Sequence, residues 1–336
     1  MQFRCDFISE DGEVKTGIFG FDGEIYFEEK EVDAEYIVTP TFSNSHTHLA
    51  DSVAMDIPYM SLDYAVSKNG LKFRFLEKFE NEIENAIRSA LEEAIASGTT
   101  LLVDFREGGL KGARIFHKAD TCQVGKILAR PSSIDEAEKM ARETWIYGFG
   151  MSGVKEHPFV FLEEIREIAR KHKKIFAIHA GEKNSEDVEL ALSLEPDILI
   201  HLNMAEIQQL KKIVESEIPV VSCIRSNAFF DLLNIKNYRF LSNYEKWMIG
   251  TDNAMISTPS ILDEMKFASY IIRNDILIFK AAIRGFYEFE GKSRMGYIIF
   301  SKKRFKRTVN PLSTVVRRCD RRDIIKIVAD VKKICY

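Results

Sequence analysis

No Cys-x-x-Cys pair occurs in this chain, and its five cysteines (Cys5, Cys122, Cys223, Cys319, Cys335) are scattered and odd in number. A complete disulfide framework is excluded, and a reduced, cytoplasmic setting is expected. No apolar stretch approaches the ~20 residues that span a bilayer, and the opening MQFRCDFISEDGEV has no basic-then-apolar leader pattern. A soluble protein without a membrane partner is expected. No low-complexity tract occurs, and no Gly-rich dinucleotide turn follows the first strand of the α/β region, which argues against a doubly wound nucleotide-binding sheet. The net charge of -4 fits solubility and argues against a nucleic-acid partner. The basic stretch 301–322 (SKKRFKRTV, RRCDRR) has little aromatic interleaving beyond Phe305 and reads as a solvated face.

The 336 residues are enough for a barrel-sized unit with an appendage. VKTGIFGF and EIYFEE flank Asp22-Gly23, the signature of a β-hairpin. Short apolar β-type runs then alternate with amphipathic helical runs. TFSNSH, TTLLVDF, CQVGKILA, WIYGFG, KIFAIHA, PDILIHL, PVVSCI and KWMIGTD make eight candidate strands. Among the helices are 76–97, FLEEIREIARKHK and EIQQLKKIVES. This alternation over about 250 residues predicts a (β/α)8 TIM barrel. MGYIIFS, STVVRR, IKIVADV and KKICY return to strand character. The chain therefore divides into a composite β-sandwich domain from 1–40 and 290–336, and a barrel domain over 41–289.

Histidine is scarce, with seven in all, yet four of them sit at the ends of predicted strands. His46 and His48 end TFSNSHTH, His179 ends FAIH, and His201 ends DILIH. Asp252 ends WMIGTD in the same way. A parallel barrel gathers all such ends at one face, where active sites are built. Imidazoles with a carboxylate suit one divalent ion, Zn²⁺ first, with Fe²⁺ or Mn²⁺ as the other choices. His46, His48 and His179 are the nitrogen ligands. Asp252 completes the set or takes a proton from water, and His201 is a further ligand or hydrogen-bond donor. Glu182, three residues past His179, is placed to shuttle a proton if a helical turn begins there. Arg225, Ser226, Asn227 and Asn253 are candidate substrate contacts. Asp104 reads as a supporting residue.

The ordered set His46-x-His48, His179 in HAGE, His201 and Asp252 in GTDN resembles the amidohydrolase superfamily. The likeness is closest to its mononuclear deaminase and chlorohydrolase-like branch, with cytosine, guanine and adenosine deaminases as relatives. SCIRSN is similar to the Cys-Pro-x-Ser-Asn segment of that branch, with Ile224 where proline is usual. The resemblance implies a metal-dependent hydrolase, foremost a deaminase of a nucleobase, nucleoside or similar aminated heterocycle, using hydroxide generated at the metal. Asn253 stands where adenosine deaminases often carry a second aspartate, which counts against adenosine itself. Lys155 lies beyond the strand-four position of the bridging lysine in binuclear relatives, which favours one metal. The expected partner is a small heterocycle, and a homo-oligomer is compatible with this reading. The same site would also serve hydrolysis of a cyclic amide or imide, or of a C–Cl bond. A non-catalytic, metal-stabilised binding protein is the remaining reading.

Overall fold

Period-two alternation shapes both sheets of the protein, whose computed structural model describes residues 1–22, 24–290 and 295–329. The first four strands are β1 (Gln2–Ile8), β2 (Val14–Asp22), β3 (Glu24–Glu29) and β4 (Tyr36–Pro40). The barrel strands are β5 (Phe42–His48), β6 (Thr99–Arg106), β7 (Gly125–Ala129), β8 (Ile146–Met151), β9 (Ile175–Ala180), β10 (Ile198–His201), β11 (Val220–Ser222), β12 (Trp247–Ile249) and β13 (Asp252–Asn253). β14 (Tyr297–Ser301) and β15 (Ile324–Val328) follow.

β1 to β4 join β14 and β15 in one six-stranded sheet of order β15-β14-β4-β1-β2-β3, so both ends of the chain share it. Ile37, Ile298 and Phe300 face the main core. Their neighbours Val38 and Ile299 face a separate cluster with Phe3 and Phe19, as side chains on opposite faces of a pleated strand must. β2 and β3 pair antiparallel from Gly17↔Glu29 onward. The expected Asp22-Gly23 turn includes Gly23, and the KKICY strand spans 332–336; both fall outside the described residues.

The other sheet is a closed (β/α)8 barrel. β5 to β12 pair in sequence and in parallel. β12 and β13 together form the eighth strand, and β13 closes the ring on β5 through Asp252↔Thr47 and Asn253↔His48. Leu101, Val103, Phe105, Leu128, Ala177, Ile198, Ile200, Val221 and Met248 fill the lumen. Alternate residues such as Leu102, Ile127, Phe176 and Leu199 face the outer helices. Gly250 lies at the closing seam, where an added Cβ would stand 2.7 Å from the His46 backbone nitrogen. Among the described residues no helix is long and apolar enough to cross a membrane.

Two expected elements differ. The helix expected over 76–97 is split into Leu71–Lys78 and Ile83–Ala96 by a 3₁₀ turn at Glu80–Glu82. Lys72 of the first piece is pinned to Asp51 and Glu107 at the barrel mouth. The second piece packs Ile87, Leu91 and Ala94 on the barrel wall. One straight helix cannot serve both directions. STVVRR is helical within Pro311–Arg317 rather than a strand. Asn310 caps that helix and Pro311 opens it, and these start signals outweigh the β propensity of Val315 and Val316.

Candidate active site

Strand parity brings the sequence-selected residues together. His46 and His48 are two apart on β5 and share the inward face. His179 follows lumen residue Ala177 on β9, and Asp252 follows Met248 and Gly250 along the eighth strand. His201 breaks the pattern. Ile198 and Ile200 are the inward residues of β10, so strict alternation would turn His201 outward. Instead His201 and Leu202 take φ of 77° and 57°, a left-handed backbone that non-glycine residues rarely adopt. Its ring centroid then lies 5.2 Å from that of His179.

The donor atoms converge. His46 Nε2 lies 3.3 Å from His179 Nε2 and 3.2 Å from Asp252 Oδ1. His48 Nε2 is 3.6 Å from the same oxygen. Four ligands bonded tetrahedrally at about 2.0–2.1 Å stand about 3.3 Å from one another. His46, His48 and His179 offer donor atoms within 4.8 Å of one another, and Asp252 Oδ1 stands against two of them, a chemistry and spacing that suit a single ion of zinc's size.

The tautomers fit as well. His179 Nδ1 is 2.8 Å from the Met151 carbonyl, and His48 Nδ1 is 3.0 Å from the Phe105 carbonyl. A carbonyl only accepts, so both rings carry the proton on Nδ1 and leave the Nε2 lone pair free. His201 is reversed. Its Nδ1 faces the Asn227 amide nitrogen at 3.4 Å, and the amide is oriented by Tyr238, whose hydroxyl donates to Asn227 Oδ1 at 2.9 Å. His201 Nε2 thus carries the proton and faces Glu182 Oε1 at 3.5 Å.

Burial sets the charges. It holds His46 neutral, with its pKa lowered to about 3, and lowers His201 to about 4. For Asp252, burial, which opposes its charge, is outweighed by the hydrogen bond with His46, and the carboxyl is held well below its ordinary range. Glu182 goes the other way. Burial first, and the Asp252 charge second, raise it well above its ordinary value. The surroundings thus push the two carboxyls in opposite directions, Asp252 toward its ionised form and Glu182 toward its protonated form, the separation that acid–base catalysis uses.

The other candidates are placed as follows. Ser226 donates to Asp252 Oδ2 at 2.6 Å, and Asn227 bonds His201, so both act on site residues. Arg225 points elsewhere: its Nε binds Glu264 Oε2 at 2.6 Å and its Nη2 the Thr258 carbonyl at 2.8 Å. Asn253 lines the cavity, and its Oδ1 accepts from the Met255 backbone. Lys155 sits at the rim, paired with Glu186. Asp104 accepts from Leu49 N at 2.7 Å and Thr47 Oγ1 at 3.0 Å, which steadies the strand bearing His48. No helix starts at His179; the next helix begins at Val188, and Glu182 reaches the site from the bend between them.

A cavity of about 220 Å³ opens over these groups, with Leu62, Val66, Phe73 and Phe230 as apolar walls. Sequence reasoning missed three groups here. Glu107 follows β6, so strand-end logic applied to LLVDFRE would have found it. Lys72 is buried at 4% exposure, and nothing in a surface-like helix marks it. Cys223 offers a sulfur within 4.8 Å of His46 and Asp252 donor atoms, but burial raises its thiol well above the ordinary value.

Residues 37–280 match the amidohydrolase family. A curated relative from Archaeoglobus fulgidus, provisionally named an aminohydrolase, is 44% identical over 312 residues, 91% of this chain and 90% of the relative. Two solved structures share the fold. An atrazine chlorohydrolase from Arthrobacter aurescens, complexed with zinc, superposes with a TM-score of 0.76 at 14% identity over 93% of this chain and 90% of that one. A guanine deaminase from C. acetobutylicum with bound guanine gives 0.71 at 13% identity over 98% of each.

Proposed function

The chain belongs to the amidohydrolase family and is a hydrolase; on that premise we propose that it is a metal-dependent deaminase of a nucleobase, nucleoside or similar aminated heterocycle. His46, His48, His179 and Asp252 hold one divalent ion, Zn²⁺ by preference, since imidazole nitrogens and a carboxylate oxygen at this spacing suit it. When bound, the ion supplies hydroxide from water at neutral pH.

The observation that carries the reading is the placement of Glu182, whose Oε1 lies 3.5 Å from His201 Nε2 and whose carboxyl stands with donor atoms of His201 and Asp252 within 4.8 Å of one another, where burial favours its protonated form. An aminated ring carbon accepts hydroxide only as its neighbouring nitrogen gains a proton. Glu182 donates that proton, then takes one from the added hydroxyl and delivers it to the departing amine, so water and substrate become carbonyl product and ammonia. His201 Nε2–H orients the attacking oxygen. Asp252, held by Ser226, accepts the proton released by water and passes it to Glu182 as ammonia leaves, so both carboxyls end the cycle as they began. The cavity of about 220 Å³ with apolar walls suits a flat ring rather than a polymer.

The test is ammonia release from a panel of aminated purines, pyrimidines and triazines, with the zinc-loaded protein and with Glu182→Gln. Ammonia from at least one ring, lost in the variant, is the expected result. Chloride release or ring opening without ammonia would replace the deaminase with a dechlorinating or amide-cleaving hydrolase.

A further inference from the structure

The buried charges beside His48 have no part in the chemistry above. Glu107 is 4% exposed and follows β6. Its Oε1 lies 3.0 Å from His48 Nδ1, 2.6 Å from Lys72 Nζ and 3.6 Å from Arg130 Nη2. Lys72 Nζ also lies 2.9 Å from Asp51 Oδ2. Arg106 Nη1 lies 3.8 Å from the other oxygen of Glu107, so three cations stand against two carboxylates in a nearly closed compartment. Ion pairs buried this deeply are weak evidence of stabilisation, because removing charges from water can cost more than the pairing returns.

We propose that Glu107 is a positioning residue that, with the Phe105 carbonyl, grips His48 Nδ1 and aims Nε2 at the metal, and that Lys72 ties helix Leu71–Lys78 to this grip. The inference rests on the reading of His48 as a metal ligand. Nδ1–H donates to the Phe105 carbonyl at 3.0 Å, and the Glu107 carboxylate stands at the same distance from Nδ1, so a carbonyl and a negative charge both lie behind the ring, one on each side of strand-end residue Arg106. A carboxylate behind a ligating imidazole fixes its orientation and raises its basicity. Lys72 keeps that carboxylate tolerable without solvent by standing between it and Asp51. The same helix carries Phe73 into the cavity wall, so the wall that meets the substrate and the imidazole that meets the metal are fastened to one ammonium.

The experiment measures Zn²⁺ affinity of the full chain by competition with a chromophoric chelator, alongside the melting temperature of the metal-free protein. The variants are Glu107→Gln and Glu107→Asp. Aspartate keeps the charge that Lys72 and Arg130 face but is one methylene too short to hold His48. Both variants are expected to bind Zn²⁺ about 10–100-fold more weakly than wild type; without metal, Glu107→Asp, which keeps the charge, melts close to wild type, whereas Glu107→Gln, which leaves the buried cations short of a carboxylate, melts lower while remaining folded. Affinity within about threefold of wild type in a folded variant overturns the proposal while leaving the metal reading intact. Loss of fold in both variants assigns Glu107 to stability and also overturns it. Wild-type protein that takes up no Zn²⁺ overturns the metal reading, and this inference with it.

Discussion

Ser226 donates a hydrogen bond to Asp252 Oδ2 at 2.6 Å, with Ser226 fully buried and Asp252 7% exposed. The other oxygen of Asp252 faces His46 and His48. One carboxylate is therefore shared between a hydroxyl that fixes its rotation and the imidazoles it must meet. Ser226→Ala leaves a buried oxygen without its donor, at a cost of about 1–3 kcal/mol. Zn²⁺ affinity should fall about 10–100-fold in chelator competition. An unchanged affinity would mean that the rotation of Asp252 is set by something else.

Glu182 should control the alkaline side of the pH profile. Its carboxyl is raised well above the ordinary value, first by burial and then by the Asp252 charge. On the proposed mechanism the protonated acid is the active form, so activity should be full below that raised pKa and lost as pH rises through it. Glu182→Gln cannot pass a proton on. It should reduce kcat by about 10²–10⁴-fold, with zinc content and melting temperature retained. A variant that keeps its turnover and its alkaline limb removes Glu182 from the chemistry.

Tyr238→Phe tests the reversed tautomer of His201. The lost hydroxyl frees Asn227 to turn its oxygen toward His201 Nδ1, which draws the proton away from Nε2. One hydrogen bond of this kind is worth roughly 0.5–1.5 kcal/mol, so kcat should fall about three- to tenfold. Zinc affinity should not move, because His201 is not among the four proposed ligands. A change in zinc affinity without one in kcat would contradict the assignment.

Gly250→Ala should strike fold and site together. The new methyl would stand 2.7 Å from His46 N and 2.8 Å from His46 Cβ and O, and backbone atoms cannot step aside as a flexible side chain can. A loss of about 1–3 kcal/mol is expected, read as a lower melting temperature of the metal-free protein together with weaker zinc binding. Wild-type melting would show that the seam has slack.

Much of this was legible because two periodicities coincide. The two-residue spacing of His46 and His48, and the apolar runs ending in His179 and Asp252, follow the pleat of parallel strands whose ends meet at one face. His201 was selected for its position at a strand end, but its inward turn was not readable. It depends on left-handed backbone at His201 and Leu202, residues with no composition that signals it. Lys72 was hidden for a related reason: a lysine in an amphipathic helix reads as solvent-facing, and its burial between Asp51 and Glu107 is a long-range event. The Val315–Val316 pair misled locally, where the Asn310–Pro311 start should have been weighed more heavily. Arg225 shares the SCIRSN segment with Ser226 and Asn227, yet Glu264, thirty-nine positions on, claims it.

The strand that bears Asp252 also completes the ring by docking on β5. While the polypeptide leaves the ribosome, the imidazoles at 46, 48 and 179 therefore emerge first and wait without their carboxylate. Shutting the barrel and assembling the proposed donor set become one late event, so a nascent or truncated product that stops short of position 252 has neither a sealed wall nor all four of the proposed ligands. Such fragments cannot linger as partly active enzyme.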